Sequence, residues 1–168
     1  MNSLGFNKKA KDTKVIVAMS GGVDSSVAAV MLKKEGYNIS GVTLRLYSQK
    51  NIHNSKTCCA GQDIEDAQKV CKQYDFPHYV YDYQDRFFSN VIDDFVESYA
   101  NGYTPIPCIK CNQTVKFTDL LKAAKDQNAD ALVTGHYVRR VEGKKNALLY
   151  KAKDAKKDQS YFLFATTK

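Results

Sequence analysis

Residues 18–26, AMSGGVDSS, decide the fold prediction because they join a short β-branched run to the start of a helix. The run Lys14–Met19 predicts a strand, and the segment Ser25–Glu35 predicts the helix. Two adjacent glycines, Gly21 and Gly22, let the backbone turn tightly and approach an anion with no Cβ in the way. The unpaired N–H groups at a helix start attract phosphate. The stretch therefore predicts a phosphate-binding loop.

The side chains of this loop favour phosphates held together with a divalent cation. Ser20, Ser25 and Ser26 add hydroxyl donors. No Lys-Ser/Thr pair follows the glycines and the spacing of a dinucleotide fold is absent, so this is not a Walker A loop. A carboxylate beside phosphates repels them unless a cation lies between, so Asp24 predicts Mg²⁺. The alternative for Asp24 is an acidic residue in the first turn of a helix, worth about 0.3–1 kcal/mol.

Strands and helices alternate outward from the loop. Further strands are predicted at Ile39–Leu46, His78–Tyr83 and Asp130–Thr134, with helical patterns between them. The strongest helical pattern is formed by five apolar residues: Phe88, Val91, Ile92, Phe95 and Tyr99. The alternation predicts an α/β fold with a mostly parallel sheet, helices on both faces, and ligands at the carboxyl ends of the strands. Tyr137–Val141 and Ala147–Lys151 predict a C-terminal β-hairpin.

The composition is that of a folded chain without a membrane segment. The 168 residues, 43% of them hydrophobic, suffice for one domain with a core. No apolar run approaches the ~20 residues of a membrane helix, so no signal peptide, no membrane contact and a cytoplasmic location are predicted. Residues 1–13 are expected to be a flexible basic start, and residues 14–168 the domain. The net charge of +7 favours a polyanionic partner.

Five cysteines indicate thiols that are used in reduced form. They are Cys58, Cys59, Cys71, Cys108 and Cys111, an odd number with one adjacent pair, which does not suit a disulfide framework. Cys71 lies on the apolar face of a predicted helix and is assigned to the core. A metal held by the two pairs would have four soft ligands, but adjacent cysteines chelate one tetrahedral ion poorly. No metal site is therefore predicted.

The segment Thr104–Phe117, TPIPCIKCNQTVKF, carries a second candidate chemistry. Its two prolines predict an extended stretch, followed by a helix from about Asn112. Cys111 would then lie at a helix N-terminus, where the dipole lowers the pKa of a thiol, and Lys110 and Lys116 would act in the same direction. Cys111 is therefore a candidate nucleophile. The alternatives are a buried structural cysteine or half of a metal site.

Four segments in order resemble known families. The SGGVDS of the loop resembles the signature of the PP-loop ATP pyrophosphatases, which cleave ATP between the α and β phosphates and transfer AMP to a substrate oxygen. Together with the cysteine segment, Thr134–Arg139 (TGHYVR) and Lys157–Leu163 (KDQSYFL), it resembles the bacterial tRNA-specific 2-thiouridylases. The resemblance runs from about Lys14 to Phe164. It implies a Rossmann-like PP-loop domain, ATP and Mg²⁺ as cofactors, and tRNA and a persulfide sulfur-relay protein as partners.

The resemblance also implies a role for each motif. Cys111 would be the catalytic nucleophile. ATP would be held by a run of loop residues and by two strand-end residues: Ala18, Met19, Ser20, Gly21, Gly22, Val23, Asp24, Ser25, Leu44 and Gly135. The target base would be approached by Ile106, Pro107 and Cys108. The tRNA would be contacted by Lys157, Asp158 and Gln159.

The mechanism implied by the resemblance has two chemical stages. ATP adenylates the C2 oxygen of the wobble uridine, and a second cysteine that carries a persulfide then supplies the sulfur. Cys111 attacks this persulfide, which frees sulfide or leaves a disulfide. Many family members have Asn-Pro-Asp where this chain has Ile106-Pro107-Cys108, which removes a carboxylate. The family enzymes also continue about as far again, so we expect this chain to be a front part that lacks the second cysteine.

Other interpretations remain open at this stage. A different PP-loop enzyme would adenylate a carboxylate to make an amide and would need neither the C-x-x-C nor tRNA. A truncated remnant would bind ATP without catalysis. His136, at a strand end, suits a structural hydrogen bond as well as a nucleotide contact. Four basic residues of the predicted hairpin suit RNA backbone or plain solvation: Arg139, Arg140, Lys144 and Lys145.

Overall fold

The computed structural model describes residues 1–46, 61–141, 143 and 146–166. Its strands and helices are, in chain order, β1 (Lys14–Ala18), α1 (Val23–Lys34), β2 (Asn38–Arg45), α2 (Gly61–Gln73), β3 (His78–Asp82), α3 (Gln84–Phe87), α4 (Asp93–Ala100), α5 (Pro107–Cys111), α6 (Phe117–Asp126), β4 (Ala131–Thr134), β5 (Val138–Val141) and β6 (Leu148–Lys151). Short 3-10 helices span Ala10–Asp12 and Ser160–Leu163. Two π-helical turns join helices end to end, Phe88–Ile92 between α3 and α4 and Asn112–Lys116 between α5 and α6.

The main sheet has four parallel strands in the order β3-β2-β1-β4, and β5 and β6 form a separate antiparallel pair. β1 is central, with Val15 opposite Ile39 of β2 on one side and Ala131 of β4 on the other. The chain moves outward from β1 to β3 and then returns to place β4 on the opposite side of β1. This reversal opens a crevice at the carboxyl ends of β1 and β4. The predicted fold class, including the hairpin, is confirmed.

Alternation along β1 separates two hydrophobic cores. Val15 and Val17 pack with residues of α1 and α2, whereas Ile16 packs on the opposite face with residues of β2, α5 and α6. All three side chains are fully buried, as expected for the central strand of a covered parallel sheet. The predicted assignment of Cys71 to the core is confirmed, because its buried thiol lies 3.4 Å from Met19 Sδ.

The long helical pattern after β3 differs from the sequence prediction. The apolar spacing predicts one helix with one buried face, but the π-helical turn changes the number of residues per turn halfway along it. Val91, within that turn, is buried, whereas α4 beyond it has no buried residue and Tyr99 is half exposed. Neither α4 nor any other helix of the described residues is long and apolar enough to cross a membrane.

The first thirteen residues contact the domain. Asn2 Nδ2 donates a hydrogen bond to Thr13 Oγ1 over 2.9 Å, and Lys8 forms an ion pair with Asp130. The same carboxylate accepts a hydrogen bond from the Lys14 backbone N–H over 2.9 Å. These contacts bring the segment against the starts of β1 and β4. The predicted domain boundary at Lys14 stays a prediction.

Candidate nucleotide and thiol site

A cavity of about 230 Å³ lies in the crevice at the carboxyl ends of β1 and β4. It is lined by the loop after β1, the first turn of α1, the ends of β2 and β4, and the start of α6: Ala18, Met19, Ser20, Gly22, Asp24, Ser25, Val42, Leu44, Leu46, Lys116, Phe117, Leu120, Thr134, Gly135, His136 and Gln159. Eight of the ten residues predicted to hold ATP line it. The other two, Gly21 and Val23, do not, and Val23 is 76% exposed.

The conformation of the loop after β1 is stabilised by its own backbone and by one buried hydroxyl group. Gly22 is the N-cap of α1, and no side chain caps the helix, which leaves its first N–H groups available to an anion. Ser25, 4% exposed, accepts a hydrogen bond from the Ser20 N–H and donates one to the Gly22 carbonyl. Ser25 therefore braces the loop, while the helix N-terminus supplies the positive end of a dipole to the cavity.

Three glycines serve different purposes around the loop. Gly21 has φ +77, and a Cβ there would lie 2.3 Å from the carbonyl oxygen of Asp63. Gly135 lets the end of β4 press against α1, since a Cβ would lie 2.7 Å from the Ser25 nitrogen. At Gly22 the nearest atom would be Ser20 Oγ at 3.5 Å, an ordinary contact. Packing within the chain thus requires glycine at 21 and 135, whereas at 22 the small residue leaves room for a ligand.

The carboxylate of Asp24 is exposed and oriented by a tyrosine. Tyr137 Oη donates a hydrogen bond to Asp24 Oδ1 over 2.6 Å, and this bond is the main reason that the pKa of Tyr137 is raised. The described residues contain no cluster of three His, Cys, Asp or Glu that would hold a metal by themselves. A single carboxylate nevertheless fits Mg²⁺ that takes its remaining ligands from phosphates and water, as in many ATP sites.

His136 and Lys116 form a polar corner of the cavity. His136 Nδ1 lies 2.8 Å from Thr134 Oγ1, and its ring packs against Phe117 with 5.9 Å between centroids. Burial, and then the charge of Lys116, lower the pKa of His136. The imidazole is therefore neutral at neutral pH, and Lys116 supplies the cationic group. Sequence reasoning missed Thr134 and Phe117 and considered Lys116 only for its effect on a thiol, although a strand end and a helix start were the available signals.

The cysteine segment departs from its prediction. The helix begins at Pro107, five residues before Asn112, because proline at the first helical position loses no hydrogen bond and already has a helical φ. The prediction that Cys111 lies at a helix N-terminus is therefore wrong. Cys108 is the second helical residue and is exposed, whereas Cys111 is the fifth and only 7% exposed. The proposed role of Cys111 as a nucleophile stays a prediction, without support from the helix dipole.

Contacts on either side of Cys111 fix its surroundings. Lys110 Nζ forms an ion pair with Asp94 over 2.8 Å, so its charge is directed toward α4. Asn112, 3% exposed, donates its Nδ2 hydrogen to the Phe162 carbonyl over 3.0 Å. Cys111 itself belongs to the core cluster that includes Leu44, a residue of the cavity wall. Cys111 thus packs behind the cavity wall and is not itself among the residues that line the cavity, and its helix contacts the Ser160–Leu163 turn.

The Lys157–Gln159 segment packs beside Tyr137. Gln159 Oε1 accepts the Tyr137 N–H over 2.8 Å, and Lys157 Nζ lies 5.3 Å from the centre of the Tyr137 ring. The Asp158 carboxylate accepts hydrogen bonds from the Ala152 and Ser160 N–H groups, and these bonds, the first above all, lower its pKa. Asp158 therefore shapes the turn, and Lys157 projects from it. Whether these three residues contact tRNA stays a prediction.

Some predicted residues lie elsewhere. Ile106 is exposed at the N-cap of α5, Pro107 starts that helix, and Cys108 is exposed in its first turn. Arg139 and Arg140 are exposed on β5, with the Arg139 guanidinium 5.8 Å from the Tyr150 ring centre. Cys58 and Cys59, considered as a metal half-site, and Lys144 and Lys145 of the hairpin turn lie outside the described residues.

A parallel sheet whose glycine loop, helix N-terminus and carboxylate converge at the reversal of strand order defines an α/β nucleotide-binding domain. Comparison with known proteins narrows this class. The profile of the family described as tRNA methyl transferase HUP domain matches residues 13–168, and the chain belongs to that family.

The relatives are considerably longer than this chain. A protein named tRNA-specific 2-thiouridylase MnmA from Rhodospirillum centenum is 58% identical over 168 residues, which are 99% of this chain and 43% of the relative. One of the same name from Orientia tsutsugamushi is 60% identical over 163 residues, 96% of this chain and 44% of the relative. Among solved structures, NMN synthetase from Francisella tularensis aligns with 77% of this chain and 46% of its own, at 23% identity and a TM-score of 0.49. The chain thus spans less than half the length of these 2-thiouridylases.

Proposed function

We propose that this chain is the ATP-binding and thiol-bearing part of a cytoplasmic tRNA-uridine 2-sulfurtransferase. Its reaction is the ATP-dependent 2-thiolation of the wobble uridine of tRNA, with a persulfide-carrying protein as the sulfur source. The observation that carries the proposal is that one cavity is lined both by the phosphate loop and by the helix that continues from Cys111. Activation and sulfur transfer act on the same carbon of the uridine, so the two sets of groups must be neighbours.

The nucleotide would bind with its phosphates at the loop. The N–H groups at the start of α1 would donate hydrogen bonds to phosphate oxygens that enter the space beside Gly22, and Lys116 adds a positive charge. Asp24 is the carboxylate that would hold Mg²⁺, which supplies charge neutralisation of the phosphates when bound. The uridine C2 oxygen attacks the α phosphorus, pyrophosphate leaves, and the C2 carbon acquires an AMP leaving group.

Sulfur transfer requires two sulfur atoms beside the activated carbon. The terminal sulfur of the persulfide attacks C2, and the C–O bond to AMP breaks. The base is then joined through an S–S bond to the cysteine that carried the persulfide. The thiolate of Cys111 attacks the sulfur of that carrier cysteine, so the S–S bond breaks and thiouridine departs. A disulfide between Cys111 and the carrier cysteine remains. Reduction of that disulfide by an external thiol completes the cycle. Cys108, exposed at the start of the same helix, is the alternative carrier within this chain.

The products of ATP cleavage test this proposal. The chain is incubated at low salt with Mg²⁺, α-labelled ATP and a tRNA that has a wobble uridine, and with a matched tRNA that has cytidine at that position. We expect pyrophosphate release and label on the uridine tRNA only. Release of ADP and inorganic phosphate, or equal labelling of both tRNAs, would exclude uridine adenylation. Cleavage that depends on a carboxylate acceptor and not on tRNA would indicate an amide-forming synthetase instead.

A further inference from the structure

One side chain outside the predicted site residues contacts both functional segments. Tyr137 lies between the cavity residue His136 and strand β5. Its hydroxyl binds Asp24 of the phosphate loop, 113 residues earlier in the chain, over 2.6 Å. On its other side its ring faces Lys157 and its backbone is bonded to Gln159.

The contact with the loop fixes the orientation of a single carboxylate oxygen. Tyr137 donates to Asp24 Oδ1, which leaves Oδ2 to face a cation or its water ligands. A short O–H···O⁻ bond is strong and directional, so it restricts the rotation of the carboxylate. Asp24 lies on the first turn of α1, directly beside the nucleotide cavity. Any movement of the carboxylate toward a bound nucleotide therefore acts on the Tyr137 hydroxyl.

The contact with the turn involves the backbone and a ring face. Gln159 is joined to Tyr137 by two hydrogen bonds: its side-chain oxygen accepts the Tyr137 N–H over 2.8 Å, and its own N–H donates to the Tyr137 carbonyl over 3.0 Å. The ammonium of Lys157, 5.3 Å from the ring centre, is attracted by the ring face. Two of the three residues predicted to contact tRNA are thus attached to Tyr137.

We propose that Tyr137 is a positioning residue that couples nucleotide binding at the phosphate loop to the conformation of the Lys157–Gln159 turn. Because coupling of two binding equilibria is reciprocal, a ligand on the turn would change nucleotide affinity by the same factor. The inference rests on the proposed function and on the prediction that the turn contacts tRNA, and adds that the binding of ATP and the binding of RNA are coupled through one hydroxyl. Its physical content is testable without tRNA.

The test follows the Gln159 backbone amide, whose hydrogen bond to Tyr137 reports on the turn. Amide hydrogen exchange is measured by NMR with and without saturating Mg²⁺ and α,β-methylene-ATP, and calorimetry confirms that the nucleotide is bound. The chain is compared with Tyr137→Phe, which keeps the ring and backbone, and with Tyr150→Phe, a control on β6. Nucleotide should slow Gln159 exchange at least about fivefold in the chain and in Tyr150→Phe. In Tyr137→Phe the change should stay below about twofold.

A second variant removes the same hydrogen bond from the side of the phosphate loop. Asp24→Ala removes the acceptor of the tyrosine hydroxyl, and at saturating nucleotide it should also lose the Gln159 response. The proposal is overturned if Tyr137→Phe and Asp24→Ala keep the fivefold slowing, or if bound nucleotide leaves Gln159 unchanged in the unmodified chain. Calorimetry that detects no nucleotide binding to the unmodified chain overturns the proposed function, and the coupling with it.

Discussion

The phosphate loop and the cysteine segment both precede a helix beside the same cavity, yet they are constructed differently. The loop presents backbone N–H groups, and its geometry depends on Gly21 with φ +77 and on an N-cap without a side chain. The cysteine segment presents side chains, and its geometry depends on where the helix starts. A site formed by backbone N–H groups can be predicted even when the predicted helix start is wrong by a few residues. In the cysteine segment the helix starts five residues before its predicted position, so Cys108 and not Cys111 lies at the helix N-terminus. The two segments therefore call for different experiments.

The largest expected difference between the two segments is that the chain should bind Mg-ATP at the loop but should not carry out sulfur transfer at the cysteine segment. The loop and its surrounding strands are all present in the chain, so we expect Mg-ATP binding by calorimetry. The 168 residues cover 43% of the length of the Rhodospirillum centenum relative, and the family resemblance implies that the second cysteine and further RNA contacts belong to the remaining length. Fewer phosphate contacts weaken RNA binding. The 168-residue chain, mixed with tRNA, ATP and a persulfide donor, should therefore form no 2-thiouridine, as measured by nucleoside mass spectrometry.

One positive control and one contradicting outcome define that result. A 2-thiouridylase of full length under the same conditions shows that the tRNA and the donor are competent. Multiple-turnover thiolation by the chain alone would contradict the prediction and would identify Cys108 as the carrier, which Cys108→Ser should then abolish.

Alkylation should distinguish the exposed Cys108 from the buried Cys71 by about two orders of magnitude. Burial raises the pKa of the Cys71 thiol to about 11, so at pH 8 only about one molecule in a thousand carries the reactive thiolate. Cys108 is exposed at the helix start, and Cys111 is buried. Brief iodoacetamide treatment and mass-spectrometric mapping should show Cys108 labelled at least about a hundredfold faster than Cys71. If Cys71 is labelled as fast as Cys108, burial does not set these rates and the prediction is contradicted.

Adjacent glycines of the loop should separate stability from ligand binding. Gly21→Ala introduces a Cβ at a left-handed φ and within 2.3 Å of a backbone oxygen, so urea unfolding should show a loss of at least about 3 kcal/mol. Gly22→Ala, with no atom closer than 3.5 Å, should change the free energy of unfolding by less than about 1 kcal/mol. Gly22→Val should keep the fold and still weaken Mg-ATP binding. Equal unfolding free energies for Gly21→Ala and Gly22→Ala would contradict this account of the loop.

The smallest predicted effect concerns the charge of Asp24. Asp24→Asn keeps an oxygen acceptor for Tyr137 but removes the negative charge that would face Mg²⁺. We expect Mg-ATP affinity to fall by about tenfold, or about 1.4 kcal/mol, because hydrogen bonds and contacts to charged groups are worth about 1.5–3 kcal/mol. Affinity for ATP in EDTA should change little. An equal loss with and without Mg²⁺ would assign Asp24 to the fold of the loop instead of the cation; Asp12→Asn, far from the cavity, is the matched control.

The sheet and the phosphate loop were predictable because the residue pattern of each strand and the order of strands and helices along the chain indicate the same fold. Each β-branched run became a strand within about one residue of its predicted bounds, and Gly135 and Leu44 reached the cavity as expected of strand-end residues. The rule that ligands bind at the carboxyl ends of parallel strands needs only the order of elements, which periodicity supplies.

The remaining site residues depend on contacts that no local pattern encodes. Tyr137 meets Asp24 across 113 residues, and nothing in TGHYVR alone identifies that partner. The two prolines predict an extended stretch up to Asn112, whereas the helix starts at Pro107, because proline interrupts a helix only in its interior and favours its first position. The π-helical turn Phe88–Ile92 changes the helical register before α4, so apolar spacing predicts burial for Phe95 and Tyr99 although both are exposed. Tertiary packing decided these positions.

The order of strands also determines when the sheet can be completed during synthesis on the ribosome. The central strand begins at Lys14, whose backbone N–H is bonded to Asp130 at the start of β4, 116 residues later. At a synthesis rate of about 5–20 residues per second, roughly 6 to 23 seconds pass between the synthesis of β1 and that of β4. During that interval one edge of β1 has no strand beside it, and the nucleotide cavity has no Gly135 wall. The complete cavity, with Gly135 in its wall, can therefore form only after residue 135 has been synthesised.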